Sequence, residues 1–461
     1  MDKKYRIFYK PEDGWFADCI PFYHNGLFYL YYLHDYRNVE ECGEGVPWRL
    51  VTTKDFTDFE EHGEMISRGK AEEQDLYIFT GCVYKKAEND FYLFYTGHNP
   101  HFSDTPQEKV MLTRSTDLIN WTKVDNFILS APSEKYYGHD WRDPFVYFDE
   151  NKQKYCMLLA ARIKEQSKRK AGATALCTST DLINWTVEED FWSPDAFFTH
   201  ECPDYFSMDG KQYLIFSEFT DKCCTQYRMI ENGRFIQKND GIFDGRAFYA
   251  AKSVANENSR YLFGWIPTKE NNSDDCRWQW GGNLAVHELY VANDGSLRTK
   301  MPNSIREKFK NVVYQNDEIV LDGTNRFLVS DINVNNEQLL ISVDVIFDEF
   351  TNMCGVGLRH NVETDDNYLY SLLPFNNMMK FDVFPNHPWE HAHFINSNRV
   401  CNLKAGEVYH LDIIVDSDVC VAYLNDEIAL SSRMYINDGC PLSLFSKEGK
   451  TIFRNLSIKT L

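Results

Sequence analysis

The chain of 461 residues is long enough for two or three domains with a sizeable core, and 15% of its residues are aromatic. Its formal net charge of −21 argues against nucleic acid and anionic membranes as partners, because both bind basic surfaces. No stretch approaches the roughly 18 apolar residues of a membrane helix, and the segment after Met1 is too polar for a secretion signal. These features predict a soluble protein that is not exported.

The cysteines point to the same compartment. There are 13, an odd number, without a CxxC pair, and several lie in predicted strands, such as Cys156, Cys177 and Cys420. Free buried thiols in a reducing cytoplasm explain this pattern better than a disulfide framework does. We therefore expect a cytoplasmic protein.

Five segments along the first 300 residues share one plan, in which an apolar strand, a polar turn and a second apolar strand form a hairpin. They begin at Ala17, Thr80, Arg142, Glu201 and Tyr249, so the plan recurs roughly every 50 to 65 residues. Repeats of this size, made of short strands, are typical of propeller blades. The pattern predicts an all-β fold that begins with a five-bladed β-propeller over residues 1–300.

A second repeat supports the first. The octapeptide Ser-Thr-Asp-Leu-Ile-Asn-Trp-Thr occurs identically at Ser115–Thr122 and Ser179–Thr186, and Thr53–Phe56 is a looser copy. Such a duplication indicates that these positions are equivalent in successive blades.

The strand pattern changes near residue 301. A short helix-compatible segment lies within a predicted linker at 301–310, and alternation then resumes without a carboxylate-led hairpin, which predicts a C-terminal β-sandwich over 311–461. His387, Glu390, His391 and His393 lie close together in this part, but no predicted element brings them to one point. We therefore predict no metal site, and no feature indicates another cofactor.

Three of the five hairpins open with an acid, namely Asp18, Asp143 and Glu201. If the first strand of each blade lines the central channel, these three carboxyl groups face one another there. Two carboxyl groups across a sugar-sized pocket are the minimum for glycosidic cleavage, and a third can stabilise an oxocarbenium-like transition state. Each acid alone could be a turn residue, an ion-pair partner or a solvated strand end, but their shared place in a repeat favours one site.

Aromatic side chains near the predicted mouths of the blades suit the faces of sugars, although each could instead belong to the core. The candidates are Trp15, Trp48, Phe79, Trp141 and Trp280.

At these residues the sequence resembles glycoside hydrolase family 32, the invertase and fructanase family, over nearly the whole chain. Arg142-Asp143-Pro144 and Glu201-Cys202-Pro203 match two of its motifs, Phe79-Thr80-Gly81 is similar to its Phe-Ser-Gly motif, and Phe248-Tyr249-Ala250 matches its last blade. The resemblance implies a five-bladed propeller followed by a sandwich. It also implies that Asp18 is the nucleophile, Glu201 the general acid/base and Asp143 the transition-state stabiliser.

Motif positions and aromatic residues together give the predicted substrate contacts, which are Trp15, Trp48, Phe79, Thr80, Arg142, Cys202, Tyr249 and Trp280. A retaining mechanism predicts that the carboxyl groups of Asp18 and Glu201 lie roughly 5–5.5 Å apart, with Asp18 ionised and Glu201 protonated.

The first motif departs from the family. The family has Trp-Met-Asn-Asp-Pro-Asn-Gly where this chain has Trp-Phe-Ala-Asp-Cys-Ile-Pro from Trp15, so that Ala17 replaces an amide that touches substrate. Leu33 likewise stands where the family has a glutamine. Losing two amides predicts relaxed or redirected sugar recognition, with His34, Asp35, Arg37 and Arg49 as candidate substitutes.

The predicted function is that of a retaining β-fructofuranosidase-type hydrolase, which cleaves terminal fructosyl or related furanosyl residues from short oligosaccharides. One alternative is a fructosyltransferase or an arabinofuranosidase-like hydrolase on the same propeller. A second is a non-catalytic carbohydrate-binding propeller, which the three acids disfavour because a binding module needs no nucleophile.

Overall fold

The computed structural model describes residues 5–103, 105–334, 336–386 and 394–461, and most of them lie in antiparallel strands. The histidine cluster at 387–393 lies outside the described residues. Within them, no helix is both long and apolar enough to cross a membrane. All 13 cysteines fall in the described ranges and are free thiols.

Each of the five predicted hairpins is present and continues into two further strands. The strands of the first 300 residues are β1 (Trp15–His24), β2 (Leu27–Asp35), β3 (Trp48–Thr53), β4 (Phe59–Ile66), β5 (Tyr77–Ala87), β6 (Asp90–His98), β7 (Glu108–Ser115), β8 (Thr122–Lys123), β9 (Tyr136–Asp149), β10 (Lys154–Ile163), β11 (Gly172–Ser179), β12 (Thr186–Val187), β13 (Glu201–Met208), β14 (Lys211–Glu218), β15 (Cys224–Glu231), β16 (Arg234–Ile236), β17 (Tyr249–Ala255), β18 (Arg260–Lys269), β19 (Trp278–Val291) and β20 (Leu297–Lys300). A short helix α1 (Val39–Cys42) follows β2, and a 3-10 turn (Glu270–Asn272) follows β18.

These strands form three four-stranded sheets, β5–β8, β9–β12 and β13–β16, and one eight-stranded sheet that unites β1–β4 with β17–β20. The union rests on one pairing between β1 and β19, Phe16 with Gly282. The first and last repeats are therefore joined directly.

The duplicated octapeptide forms the same turn twice. In the first copy the Ser115 hydroxyl accepts the backbone N–H of Leu118 at 2.9 Å, and Asp117 accepts that of Asn120 at 2.8 Å. The second copy repeats these bonds from Ser179 and Asp181. They hold the buried Leu118 and Leu182 at φ of 68° and 71°, a conformation unfavourable for leucine that the polar cap stabilises.

The second part of the chain starts after a short helix α2 (Asn303–Arg306) and consists of two six-stranded antiparallel sheets. One contains β21 (Asn311–Asp322), β23 (Gln338–Phe347), β28 (Tyr409–Asp416), β29 (Val419–Leu424), β30 (Ile428–Arg433) and β32 (Lys450–Thr460). The other contains β22 (Phe327–Ile332), β24 (Met353–Asn361), β25 (Asp366–Leu373), β26 (Met378–Phe384), β27 (Asn398–Val400) and β31 (Leu442–Lys447), with a 3-10 turn (Pro374–Asn376) before β26. Val343 and Ile413 of the first sheet share one buried core with Tyr370 and Phe381 of the second.

Buried polar contacts connect the two parts. Asp416 accepts the backbone N–H groups of Ile7 and Phe8 at 2.7 and 3.0 Å. The fully buried Arg433 donates to the carbonyl oxygens of Ile266 and Pro267 at 3.1 and 3.0 Å. Because such groups would be left unsatisfied if the parts separated, these contacts fix the second part against β18 and against the segment before β1.

Candidate active site

A cavity of about 810 Å³ is lined by residues of β1, β5, β9, β13 and β17. Its wall contains the three predicted acids Asp18, Asp143 and Glu201. Five of the predicted substrate contacts also line it, namely Phe79, Arg142, Cys202, Tyr249 and Trp280.

The inner strands share a β-bulge at the cavity. In β9 two residues, Asp143 and Pro144, lie between the pairs that Arg142 and Phe145 make with β10, whereas β10 has one residue there. β1, β13 and β17 show the same two-against-one arrangement at 17–18, 202–203 and 250–251. Such bulges turn side chains out of the regular alternation, and here they direct them toward the cavity.

The bulges also correct one sequence-based expectation. Glu201 is the residue before its bulge, Asp143 is the first bulged residue and Asp18 is the second, so the three acids occupy successive positions of the repeat rather than the same one. Asp143 and Cys202 both hold a positive φ, of 58° and 50°, which the bulge imposes.

Two hydrogen bonds fix the carboxyl group of Asp18. The Thr80 hydroxyl donates to Oδ2 at 2.6 Å, and the Trp265 indole N–H donates to Oδ1 at 2.9 Å. Burial nevertheless raises the pKa of Asp18 to about 7, helped by the negative charge of Asp143 and opposed by these two donors.

Asp143 lies deeper than the other two acids and is almost fully buried. Its Oδ2 accepts the backbone N–H of Cys202 at 2.9 Å, and its own backbone N–H donates to the Thr96 hydroxyl at 2.9 Å. These bonds tie β9 to β13 and β6, and they hold the Asp143 carboxyl group at one place in the wall.

The carboxyl group of Glu201 is held between two donors. Arg142 Nη2 donates to Oε1 at 3.0 Å, and the Tyr249 hydroxyl donates to Oε2 at 2.6 Å. Burial raises the pKa of Glu201, while the positive charge of Arg142 opposes that rise. A carboxyl group whose pKa is raised is suited to hold a proton for a leaving group.

Arg142 is itself anchored by carboxylates behind the wall. Its Nη1 lies 3.2 Å from Glu108 Oε2 and 3.0 Å from Asp140 Oδ1. Although burial opposes its charge, these carboxylates and Glu201 together raise the pKa of Arg142 well above its usual value. Arg142 therefore stays charged beside Glu201.

Three predicted substrate contacts lie behind the cavity wall. Trp48 is fully buried, and its indole N–H donates to the carbonyl oxygen of Ile78 at 3.2 Å, so it is a core residue. The ring of Trp15 lies beneath Arg37, whose Cζ is 4.5 Å from the ring centroid. Thr80 is buried and reaches the site through its bond to Asp18.

The structure also shows where the residues that depart from the family motif, and their predicted substitutes, lie. Leu33 and Asp35 line the cavity, whereas Ala17 is buried beside it. His34 and Arg49 point the other way: His34 Nε2 lies 3.6 Å from Asp13, and Arg49 forms a bidentate pair with the same carboxylate at 2.7 Å. Of the four predicted substitutes, Asp35 alone lines the cavity, and Arg37 holds it through a 3.1 Å bond from Nε.

Sequence reasoning missed several residues of the site. The cavity is also lined by Tyr77, His98, Phe219, Cys223, Arg246, Trp265, Trp278 and Gln279. Trp265 is the most consequential because it binds Asp18. The feature that could have predicted its role is its position on the second strand of the fifth hairpin, opposite Tyr249.

The cavity of this all-β protein contains three carboxyl groups. One accepts hydrogen bonds from an arginine and a tyrosine, and another from a threonine and a tryptophan. This arrangement is the site of a glycoside hydrolase. The N-terminal domain of glycosyl hydrolases family 32 matches residues 8–300. The chain belongs to this family, and it is a glycoside hydrolase of the β-fructofuranosidase type.

Individual relatives agree with this assignment. The sucrose-6-phosphate hydrolase of Staphylococcus xylosus is 23% identical over 326 residues, which are 66% of this chain and 63% of that protein, so the match spans less than two thirds of that relative. The sucrose-6-phosphate hydrolase of Escherichia coli is 22% identical over 96% of this chain and 92% of its own length. Among solved structures, fructan 1-exohydrolase IIa of Cichorium intybus shares the fold with a TM-score of 0.80 at 15% identity, covering 100% of this chain and 97% of that one.

Proposed function

We propose that the protein is a retaining exo-acting β-fructofuranosidase that removes terminal fructosyl residues from short oligosaccharides in the cytoplasm. The observation that carries the proposal is the contrast between two carboxyl groups in one cavity. The Asp18 carboxyl group accepts hydrogen bonds from two neutral donors, the Thr80 hydroxyl and the Trp265 indole N–H. The Glu201 carboxyl group instead accepts from the charged guanidinium of Arg142 and the hydroxyl of Tyr249. The free thiols support a reducing compartment.

The proposed architecture is a five-bladed propeller over residues 1–300, a linker at 301–310 and a β-sandwich over 311–461. In this proposal the eight-stranded sheet comprises the first and fifth blades, and the three four-stranded sheets are the others. The matching bulges in four inner strands support it, since equivalent blades place equivalent residues at the channel.

In the first proposed step, an Asp18 carboxylate oxygen attacks the anomeric carbon of the terminal sugar. The bond from that carbon to the leaving oxygen breaks, and Glu201 transfers its proton to this oxygen. Water then attacks the same carbon and gives a proton to Glu201, which releases the sugar and restores the Asp18 carboxylate. Asp143 faces the ring and stabilises the positive charge that develops in both transition states.

The raised pKa values fit this division of roles. The reactive form has Asp18 ionised and Glu201 protonated, so the pair carries one proton. Burial raises the pKa of both groups, and two charges in one buried cavity repel each other, so a singly protonated pair is favoured over a doubly ionised one.

A second candidate changes the sugar rather than the chemistry. Leu33 lines the cavity where the family has an amide, and Asp35 presents a carboxylate two residues further along the same face. This exchange favours a furanoside other than unmodified fructose, including an arabinofuranoside, and the same site could pass the glycosyl group to a sugar acceptor.

A substrate panel with stereochemical analysis tests the proposal. Sucrose, inulin-type and levan-type oligosaccharides and arabinofuranosides would be incubated with the protein, and NMR would identify the anomer released first. Release of β-fructose, abolished in Asp18→Asn and in Glu201→Gln, is the expected result. Release of the α anomer would contradict the retaining mechanism, and an inactive wild-type protein on all substrates would leave the binding alternative.

A further inference from the structure

Two buried carboxyl groups lie behind the cavity wall, and neither has a part in the proposed catalytic steps. They belong to Glu108, the first residue of β7, and to Asp140, within β9. Both residues lie outside the lining of the cavity, so neither can touch a substrate there. A buried carboxylate is unfavourable unless it is paired, and the partners of these two groups therefore indicate what they do.

Glu108 and Asp140 share one partner, Arg142. Arg142 Nη1 donates to Asp140 Oδ1 at 3.0 Å and to Glu108 Oε2 at 3.2 Å, whereas its Nη2 donates to Glu201 Oε1 at 3.0 Å. The guanidinium group is planar and rigid, so anchoring Nη1 also fixes the direction of Nη2. The cation that contacts Glu201 is thus held from behind by two anions.

The two rear carboxylates differ in how much of their charge is available to Arg142. Asp140 also accepts a hydrogen bond from Arg162 Nη1 at 3.1 Å, so a second cation shares its charge. His98 Nδ1 lies 3.7 Å from Glu108 Oε1, but burial and the charge of Arg142 lower the pKa of His98 to about 4. His98 is therefore neutral near pH 7, and the charge of Glu108 acts on Arg142.

Through Arg142 the charge of Glu108 affects the proton on Glu201. Burial raises the pKa of Glu201, and the positive charge of Arg142 opposes that rise. An anion on the far side of Arg142 weakens this opposition. Burial also raises the pKa of Glu108 to about 7, so Glu108 becomes charged as the pH rises through neutrality. The other titratable groups whose charges act on Glu201 or are affected by it are Asp18, Asp143, Cys202, Cys223 and Tyr249.

We propose that Glu108, together with Asp140, is a positioning residue that sets the pH at which Glu201 loses its proton. The inference rests on the proposed function, in which Glu201 is the general acid, and it adds to the reaction two residues that do not touch the substrate. By offsetting the charge of Arg142, Glu108 keeps Glu201 protonated to a higher pH and so extends the activity of the enzyme in that direction.

Glu108→Gln tests the charge of this residue alone. The amide oxygen can still accept from Arg142 and from the backbone N–H of Trp141, which donates to Glu108 Oε2 at 2.8 Å. The test measures kcat/KM against pH with two substrates. Methyl β-fructofuranoside needs a general acid for its leaving group, whereas an aryl β-fructofuranoside with an activated leaving group does not.

The expected result is a change confined to the substrate that needs the acid. An opposite charge in direct contact moves a carboxyl pKa by about 1 to 3, and Glu108 acts from one side chain further away. With the methyl fructoside, the alkaline limb of the profile should therefore move down by about one pH unit in Glu108→Gln, a loss of up to about tenfold on that limb. With the aryl fructoside, kcat/KM should stay at the wild-type value.

Asp140→Asn should move the alkaline limb in the same direction, and it keeps the inference testable if Glu108→Gln does not fold. Glu288→Gln is the matched control, because Glu288 is a buried glutamate of β19 that pairs with Lys300 at 3.3 Å. It should leave both profiles unchanged. An alkaline limb that stays in place or moves up in Glu108→Gln, or an equal loss with both substrates, would overturn the inference while the hydrolase function stands. If the wild-type protein cleaves neither fructoside, the proposed function itself is refuted.

Discussion

The hydrogen bond from Thr80 to Asp18 allows a quantitative prediction about the proposed nucleophile. The Thr80 hydroxyl stabilises the ionised carboxyl group, and it opposes the effect of burial, which raises the pKa of Asp18 to about 7. A hydrogen bond to a charged group contributes about 1.5–3 kcal/mol, and one pKa unit corresponds to about 1.4 kcal/mol. Thr80→Val keeps the shape of the side chain and should therefore raise the pKa of Asp18 further, by about 1 to 2.

The assay must isolate the ionisation of Asp18 from that of Glu201. In a Glu201→Gln background, an aryl β-fructofuranoside with an activated leaving group needs no acid, so kcat/KM should rise with pH through the ionisation of Asp18 alone. The midpoint of that rise would be compared between Glu201→Gln and Thr80→Val/Glu201→Gln. The double variant should require a higher pH to reach half of its maximum.

Thr113→Val is the control, since Thr113 is a buried threonine of β7 whose hydroxyl has no hydrogen-bond partner in the described part of the chain. In the same Glu201→Gln background it should leave the midpoint unchanged. Coincident midpoints for all three proteins would refute the reasoning, because they would show that Thr80 does not stabilise the ionised carboxyl group.

Three further predictions concern stability and recognition. Asp18→Asn should raise Tm by several degrees at pH 8 and by less at pH 5. The pKa of Asp18 is about 7 in the folded protein and about 3.9 in the unfolded chain, so at a pH above both values the ionised carboxyl group opposes folding. An equal rise of the calorimetric Tm at both pH values would contradict this. Leu33→Gln should raise kcat/KM for sucrose about tenfold relative to the best alternative furanoside, since it restores a polar contact in the cavity; efficient sucrose cleavage by the wild type, unimproved by the change, would show that other residues already supply the contact. Ser179→Ala should lower the free energy of unfolding by about 1–3 kcal/mol, because the buried backbone N–H of Leu182 and the partly buried one of Asp181 lose their acceptor. Urea titration beside Ser167→Ala, in an exposed loop, would measure the difference, and equal midpoints would contradict the prediction.

The repeats and the residue types of the site could be predicted from the sequence because they are local features. Period-two alternation and polar turns define a hairpin within about 20 residues, and Asp18, Asp143 and Glu201 stand at the openings of such hairpins. Their exact positions in the repeat could not be predicted. A bulge adds one residue to a strand, and alternation alone does not reveal where that residue is inserted.

The direction in which each side chain faces was the second feature that the sequence did not predict. Leu33 and Asp35 line the cavity, so His34, between them on β2, faces away, as the pleat requires. Trp48 was expected near the mouth of a blade, but its ring packs in the core between two sheets. Contacts such as Trp265 to Asp18 join residues 247 positions apart, and no local pattern carries that information.

The position of Arg433 has a consequence for how the enzyme could be shortened or recombined. Its guanidinium donates to the carbonyl groups of the two residues that directly follow Trp265, and the Trp265 indole N–H in turn donates to Asp18, the proposed nucleophile. A fragment that ends near residue 300 would leave these carbonyls without the Arg433 donor and remove one support of β18 beside Trp265. The C-terminal part therefore supports the strand that carries Trp265, and a gene fusion that exchanged this part for another domain would have to reproduce the contacts of Arg433.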